Sequence, residues 1–283
     1  MTYAEWYAQY LQLYKRKLAP KTRESYDQVT RLYILPAVEG VELGSITPEH
    51  VQMAINAAAD HGGRQAQVVY SVMHAVMRRA YRSRLINWNP VDAIDKPEHI
   101  QEQGKALTAA DQAAAEPPIL DDLALSLALC AGLRRGEICG LQWADVDLKT
   151  NMLHVRRQRC RASGDLITKT PKSRAGIRDI PIDARLRPQL KAAYRLAPNA
   201  WVVDVMPEAI TRRWTKLQKE LHLSERYRLH DLRHTYGSRL VLDGVNLRVV
   251  QYLMGHSKID VTMRVYSHCR ADDAQKELQR VYG

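Results

Sequence analysis

Residues 95–106 (DKPEHIQEQGKA) restrict the folding of this chain more than any other stretch. They are polar, contain Pro97 and Gly104, and have no apolar period. Such a segment has no face to bury, so it reads as an interdomain linker over 96–105. It divides the 283 residues into two cores, residues 1–95 and 106–283. Apolar residues are 46% of the chain, enough to fill both. Phe is absent, so Tyr, Trp, Leu and Met must take the large core positions.

The first segment reads as helices. Thr2 can cap a helix whose Trp6, Tyr10, Leu11 and Tyr14 fall on one face. Thr47-Pro48-Glu49 is a second helix start, with a cap, a first-turn proline and an acid at the positive end. A third helix is expected from about Arg64 to Arg84 on the period of Val68, Val72, Val76 and Ala80. It also carries Arg78, Arg79, Arg82 and Arg84. Each arginine alone fits a solvated face, and as a group they can contact phosphates. Asn89-Pro90 stops the pattern.

Beyond the linker, Thr108 to Asp111 resembles a capping box, and Pro117-Pro118 is expected to end the helix it opens. Leu123–Ala131 reads as a buried helix closed by Gly132. Short strands are expected at Met152–Val155, Leu166–Thr168 and Ile177–Ile182. The last two flank Lys172-Ser-Arg-Ala-Gly176 as a hairpin-like loop. From Asp183 onward the pattern is again helical.

Net charge is +11. Residues 1–100 hold 12 Lys/Arg against 10 Asp/Glu, and residues 101–283 hold 30 against 21. The second segment therefore has most of the excess, which favours a polyanionic partner, nucleic acid first. Charge alone leaves a merely basic enzyme equally open. Cys130, Cys139, Cys160 and Cys269 form no CxxC pair, so neither a structural zinc nor a disulfide framework is expected. The N-terminus has no signal-peptide pattern, and no apolar run reaches the ~18 residues of a membrane span. No membrane association is expected, and the expected location is the cytoplasm, with the nucleoid.

Five places can carry chemistry. In Gly132-Leu-Arg134-Arg135-Gly-Glu137, an arginine at a helix start can fork onto a phosphate while Glu137 holds it one turn away. Lys172, with Lys169 before it and Arg174 and Arg178 after it, can grip a phosphate or deliver a proton. His230 and Arg233 share a helical face in HDLRH. Gly255-His256-Ser257 reads as a turn, and Tyr266 lies in VTMRVYSH. Each has an ordinary alternative: a surface ion pair, a charged turn, a structural histidine, a packed tyrosine. HxxR also recurs at His61–Arg64 and His154–Arg157, so spacing cannot choose among the three. What carries weight is the fixed order of all five within the segment that holds most of the excess charge.

The stretches AGLRRGEICGLQW, TPKSRAGIRDIPI, RLHDLRHTYGS, YLMGHS and VTMRVYSH together resemble the tyrosine recombinase, or phage integrase, family. KTRESY and SITPEHVQ resemble its helical core-binding domain more weakly. The resemblance implies a mainly α, two-domain DNA clamp: a helical core-binding domain over 1–95 and an α+β catalytic domain with a small antiparallel sheet over 106–283. It implies Tyr266 as nucleophile, Arg134 and Arg233 as phosphate clamps, and His230 and His256 as the motif histidines. The lysine falls on Lys172, with Lys169 the alternative. Lys169, Arg174, Arg78, Arg79 and Arg82 are candidates for DNA contact. No cofactor is implied. Partners are double-stranded DNA bearing recombination sites, further subunits in a tetramer, and accessory directionality or host factors.

The first helix begins at about residue 2, leaving no room for the accessory-site domain of many phage integrases, so a simpler recombinase or a truncated integrase is expected. The helical period of Ala274, Leu278 and Val281 makes the tail a candidate for docking on a neighbouring subunit or on its own domain. Two rival functions share the resemblance: a type IB topoisomerase-like relaxing enzyme and a non-catalytic DNA-binding derivative.

Overall fold

A computed structural model describes residues 1–99, 104–162, 165–171, 173–196 and 199–257. Lys172, Tyr266 and the tail helix expected at 271–281 lie outside the described residues. The chain divides into two compact units, Met1–Glu102 and Gln103–Gly283.

In the first unit, two helices form where a side-chain cap and an apolar period coincide. Helix α1 (Tyr3–Tyr14) opens with a reciprocal box: Glu5 N–H donates to Thr2 Oγ1, and Thr2 N–H donates to the Glu5 carboxylate. A helix α2 (Pro20–Val29) follows, then a π turn (Thr30–Ile34) and a short α3 (Leu35–Ala37). Helix α4 (Pro48–Ala59) starts at Thr47 with His50 as the third-position partner, and α5 (Gly63–Arg82) is the long helix. The α2 helix was not among the expectations because it buries only Val29, so it has no apolar stripe to read. On α5 the buried register runs through Ala66, Val69, Val72, Val76 and Ala80, and Val69 takes the place expected for Val68.

Aromatic residues with polar tips fill the positions that Phe would otherwise take. Tyr3, Trp6, Tyr7 and Tyr10 are buried in one core with Val72, Met73 and Val76. The Trp6 indole N–H donates to Val76 O at 3.0 Å, and Tyr7 Oη donates to Asp27 at 2.8 Å. Those bonds satisfy polar groups whose burial would otherwise cost free energy.

The second unit is built on α7 (Leu123–Ala131), whose residues from Ala124 to Ala131 are all buried. Asp122 caps it, and Gly132 closes it in the left-handed region at φ 60°. Around it lie α6 (Ala109–Leu120), α8 (Arg135–Gly140), α9 (Arg187–Arg195), α10 (Pro207–Glu220), α11 (Leu229–Leu242) and α12 (Leu247–Met254). Helix α6 departs from expectation, because Pro117 and Pro118 lie inside it rather than at its end. Their missing N–H groups leave the carbonyls of Ala113 and Ala114, residues that are exposed to water, while buried Ile119 holds the last turn on the core.

Strands β1 (Val146–Asp147), β2 (Met152–Val155) and β5 (Arg178–Pro181) form one antiparallel sheet in the order β1-β2-β5. Strands β3 (Gln158–Ala162) and β4 (Asp165–Lys169) form a separate two-stranded sheet. The hairpin expected between 166–168 and 177–182 is therefore not formed: the segment after β4 leads from one sheet to the other. Sequence reading missed β3 because QRCRA has no apolar alternation, so the partner of β4 was invisible. Register explains the choice of β5, which sets Ile180 against Leu153 and Arg178 against Val155, all four buried. The mainly helical fold with small antiparallel sheets is the expected class. Among the described residues, no helix is long and apolar enough to cross a membrane.

Candidate active site

The left-handed turn at Gly132 sets the geometry. A Cβ there would lie 2.4 Å from the Tyr236 ring, so glycine is required by space as well as by φ. The turn makes Arg134 the N-cap of α8. Arg134 Nη1 donates to Glu137 Oε1 at 2.8 Å and Nη2 to Gly255 O at 3.0 Å, while its side chain stays 35% exposed. Arg233 lies in the first turns of α11 and is buried. Its guanidinium donates to Gly132 O and to Met254 O. Helix α12 ends at Gly255, φ 59°, which turns the chain into His256. The His256 N–H donates to Gln251 O, and Gln251 Nε2 donates back to His256 O, both at 3.1 Å.

Three separated segments thus converge through the carbonyls of Gly132, Met254 and Gly255. His230 stands on the same turn of α11 as Arg233, with His234 edge-on to it at 4.9 Å between ring centroids. Burial, then the positive charges of Arg233 and Arg134 among others, pushes His256 down to about 3. His230 is likewise pushed down to about 3, by burial first and then by Arg233, His234 and Arg134. Part of His230 still faces solvent, which weakens the burial contribution; the nearby cations act in the same direction. The result is two guanidiniums beside two neutral imidazoles. This is an electropositive site suited to an oxyanion, with imidazoles that can accept a proton.

Of the three HxxR segments, only the one on α11 stands in this cluster. His154 pairs with Asp179 at 2.7 Å, and the His61 ring lies against Ala57 O. Lys169 ends β4 opposite Gln158, and Arg174 is exposed in the turn Arg174–Gly176. In the first unit, Arg78 and Arg82 are exposed on α5, whereas Arg79 stacks on Tyr14 with its guanidinium carbon 3.8 Å from the ring centre. Arg178, read as part of a charged turn, is instead fully buried and bound to Glu137 through both terminal nitrogens. The signal for this was its alternation with Ile180 and Ile182, which points it inward. Burial raises the Glu137 carboxyl, but Arg178 and then Arg134 outweigh it and hold it at about 2.

The first unit is small and helical, and the second presents an arginine–histidine cluster where α7 and α12 end and α11 begins; these features are shared with the integrase class of DNA-acting proteins. A family model described as the phage integrase family matches residues 100–272, and one described as the phage integrase N-terminal SAM-like domain matches residues 2–58. The chain belongs to the phage integrase family, the tyrosine recombinases. It is 28% identical over 172 residues to a tyrosine recombinase XerC-like protein of Caldanaerobacter subterraneus, covering 50% of this chain and 44% of that relative. To a putative prophage phiRv2 integrase of Mycobacterium tuberculosis it is 26% identical over 281 residues, covering 90% and 72%. Its fold matches the Tn1549 transposon integrase solved with a circular intermediate DNA, at TM-score 0.83 and 21% identity over 99% of each chain.

Proposed function

We propose that this chain is a site-specific DNA recombinase that cleaves and rejoins DNA through a covalent 3′-phosphotyrosine at Tyr266. The observation that carries the reading is the convergence of Arg134, His230, Arg233 and His256 in a chain of this family. A phosphodiester gains negative charge where it is attacked, and preorganised donors stabilise that charge. In this reading Arg134 and Arg233 hold the phosphate, with His256 beside them. A tyrosine hydroxyl with a free pKa near ~10 must lose its proton as it attacks, and His230, neutral at pH 7, can accept it. Lys172, or Lys169 in its place, protonates the leaving 5′ oxygen. A 5′-hydroxyl from a second duplex then attacks the phosphotyrosine, and Tyr266 leaves with its proton restored. The link conserves the phosphodiester, so the exchange needs neither ATP nor, with arginines in the charge-stabilising role, a metal ion.

Residues 1–95 serve as the core-binding domain and 106–283 as the catalytic domain of a clamp on duplex DNA at the nucleoid. Recombination runs in a tetramer on two sites, its direction open to accessory factors. The test incubates labelled, nicked duplex from the DNA flanking the gene with wild type and Tyr266→Phe, in EDTA. An SDS-resistant, protease-sensitive adduct with wild type alone supports the reading. Binding by both proteins without any adduct counts against it.

A further inference from the structure

We propose that Arg178 is a positioning residue that holds Arg134 and the His256 turn in register for the reaction. The inference rests on the recombinase reading. Arg178 is buried and bonds to three segments. Its Nε donates to Leu253 O at 2.7 Å, at the end of α12. Nη1 donates to Gly176 O at 3.2 Å, in the segment that follows Lys172. Nη1 and Nη2 fork onto Glu137 at 3.1 and 2.9 Å. The same carboxylate receives the guanidinium and the backbone N–H of Arg134. Glu137 is thus a shared anion, and Arg178 fixes its plane with the rigid two-point geometry that only a guanidinium supplies.

The His256 side of the site depends on the same group. A Cβ at Gly255 would lie 2.8 Å from Ala175 O and 3.1 Å from Arg178 Nη1, so the turn before His256 is packed directly on this arginine. A buried ion pair adds little to stability that apolar packing would not add, because desolvation offsets the Coulomb gain. What the pair supplies here is a fixed relation among α8, α12 and the lysine-bearing segment. Displacements of about 1 Å at a reacting centre can cost on the order of 10²-fold in rate.

The test uses the full chain with Arg178→Lys, which keeps the charge but loses the fork, and Arg178→Met. Three quantities are measured on each: adduct formation on nicked duplex from the gene-flanking DNA, Kd for that duplex, and the position of Arg134 in a crystal structure. Arg178→Lys is expected to bind DNA within about twofold of wild type and to form adduct about 10²-fold more slowly. Its Arg134 should move off Glu137 or Gly255. The charged groups facing Glu137 are Arg134 on the α8 cap, Arg178 on β5 and Arg233 on α11. Removing Arg178 leaves burial less opposed, so the acid limb of the cleavage–pH profile should move to higher pH in Arg178→Met and stay in place in Arg178→Lys. Wild-type adduct rates in both variants, or an unmoved Arg134, overturn the proposal. So does a rate loss that only tracks falling Tm and DNA binding. Absence of adduct from wild type counts against the recombinase reading instead, and the crystal position of Arg134 then decides the positioning claim.

Discussion

Arg134 and Glu137 hold each other twice within one helical turn: the guanidinium donates to Oε1 at 2.8 Å, and the backbone N–H donates to Oε2 at 2.9 Å. Cap and ion pair are one structure, so the residue that starts α8 is also the residue aimed at the candidate site. The direction of Arg134 is therefore as rigid as the helix start itself.

Glu137→Gln should destabilise the protein by about 3–5 kcal/mol at pH 7, because it leaves buried Arg178 without its counter-charge. The pH dependence has a definite sign. Glu137 loses its proton near 2 when folded, against an ordinary 4.5. Its stabilisation is complete above the ordinary value and disappears as pH falls toward 2. Urea melts between pH 6 and 2.5 should show a shallower loss of stability in Glu137→Gln than in wild type. Parallel curves would show that the carboxylate is not held as described.

His230 and His256 should both be neutral in the DNA-free protein at pH 6. Depressed imidazole values mean that the unfolded chain binds protons that the folded chain does not. Stability from this source is complete above about 6.5 and declines as pH falls below it. Proton NMR of the two ring signals checks this directly, and a midpoint above 6 for either ring would contradict the electropositive site. Bound duplex, by placing a phosphate beside them, should raise both midpoints.

At Gly132, alanine meets two penalties: a left-handed backbone and the Tyr236 ring 2.4 Å from the new Cβ. A loss of at least about 2 kcal/mol is expected. Truncating the ring in Gly132→Ala/Tyr236→Leu should recover the steric part only. Thermal melts of the two single variants and the double variant measure that coupling, and strict additivity would place the obstruction elsewhere.

The arginines of α5 should separate by role. Exposed Arg78 and Arg82, changed singly to Ala, should each lower the slope of log K against log salt by about 1 if each meets a phosphate. Arg79→Ala should lower Tm instead, since that side chain is committed to Tyr14. Binding titrations at several salt concentrations, with melting curves alongside, distinguish the two. Equal slope changes for all three variants would mean that Arg79 leaves Tyr14 on binding.

Lys172→Ala and Lys169→Ala should differ sharply in cleavage of a nicked duplex. A leaving group with a pKa far below that of an alkoxide, such as a bridging 5′-thiolate, needs no proton. It should restore the damaged variant and leave the other unchanged. Restoration of neither would remove both lysines from the proton-donor role.

Local signals were enough for the pieces. Apolar pattern placed α1, α4, α5 and α7 because those helices bury a continuous face, and a capping side chain marked the starts of α1 and α4. Gly132 and Gly255 were legible as turns because few other residues accept positive φ. The order of Arg134, His230, Arg233 and His256 marked a candidate site before any geometry. Sequence could not reveal relations that depend on a distant partner. Helix α2 and strand β3 have no apolar period, so only the surfaces they meet give them structure. The pairing of β5 with β2 rather than β4 follows from which side chains the core accepts. Three HxxR segments are equivalent as strings, and only folding brings one of them beside Arg134 and His256. Arg178 shows the same limit most sharply: alternation with Ile180 and Ile182 points it inward, but its partners cannot be read from the sequence. Its role as a buried tie among Glu137, Gly176 and Leu253 exists only once residues 41 and 75 positions away are brought to it.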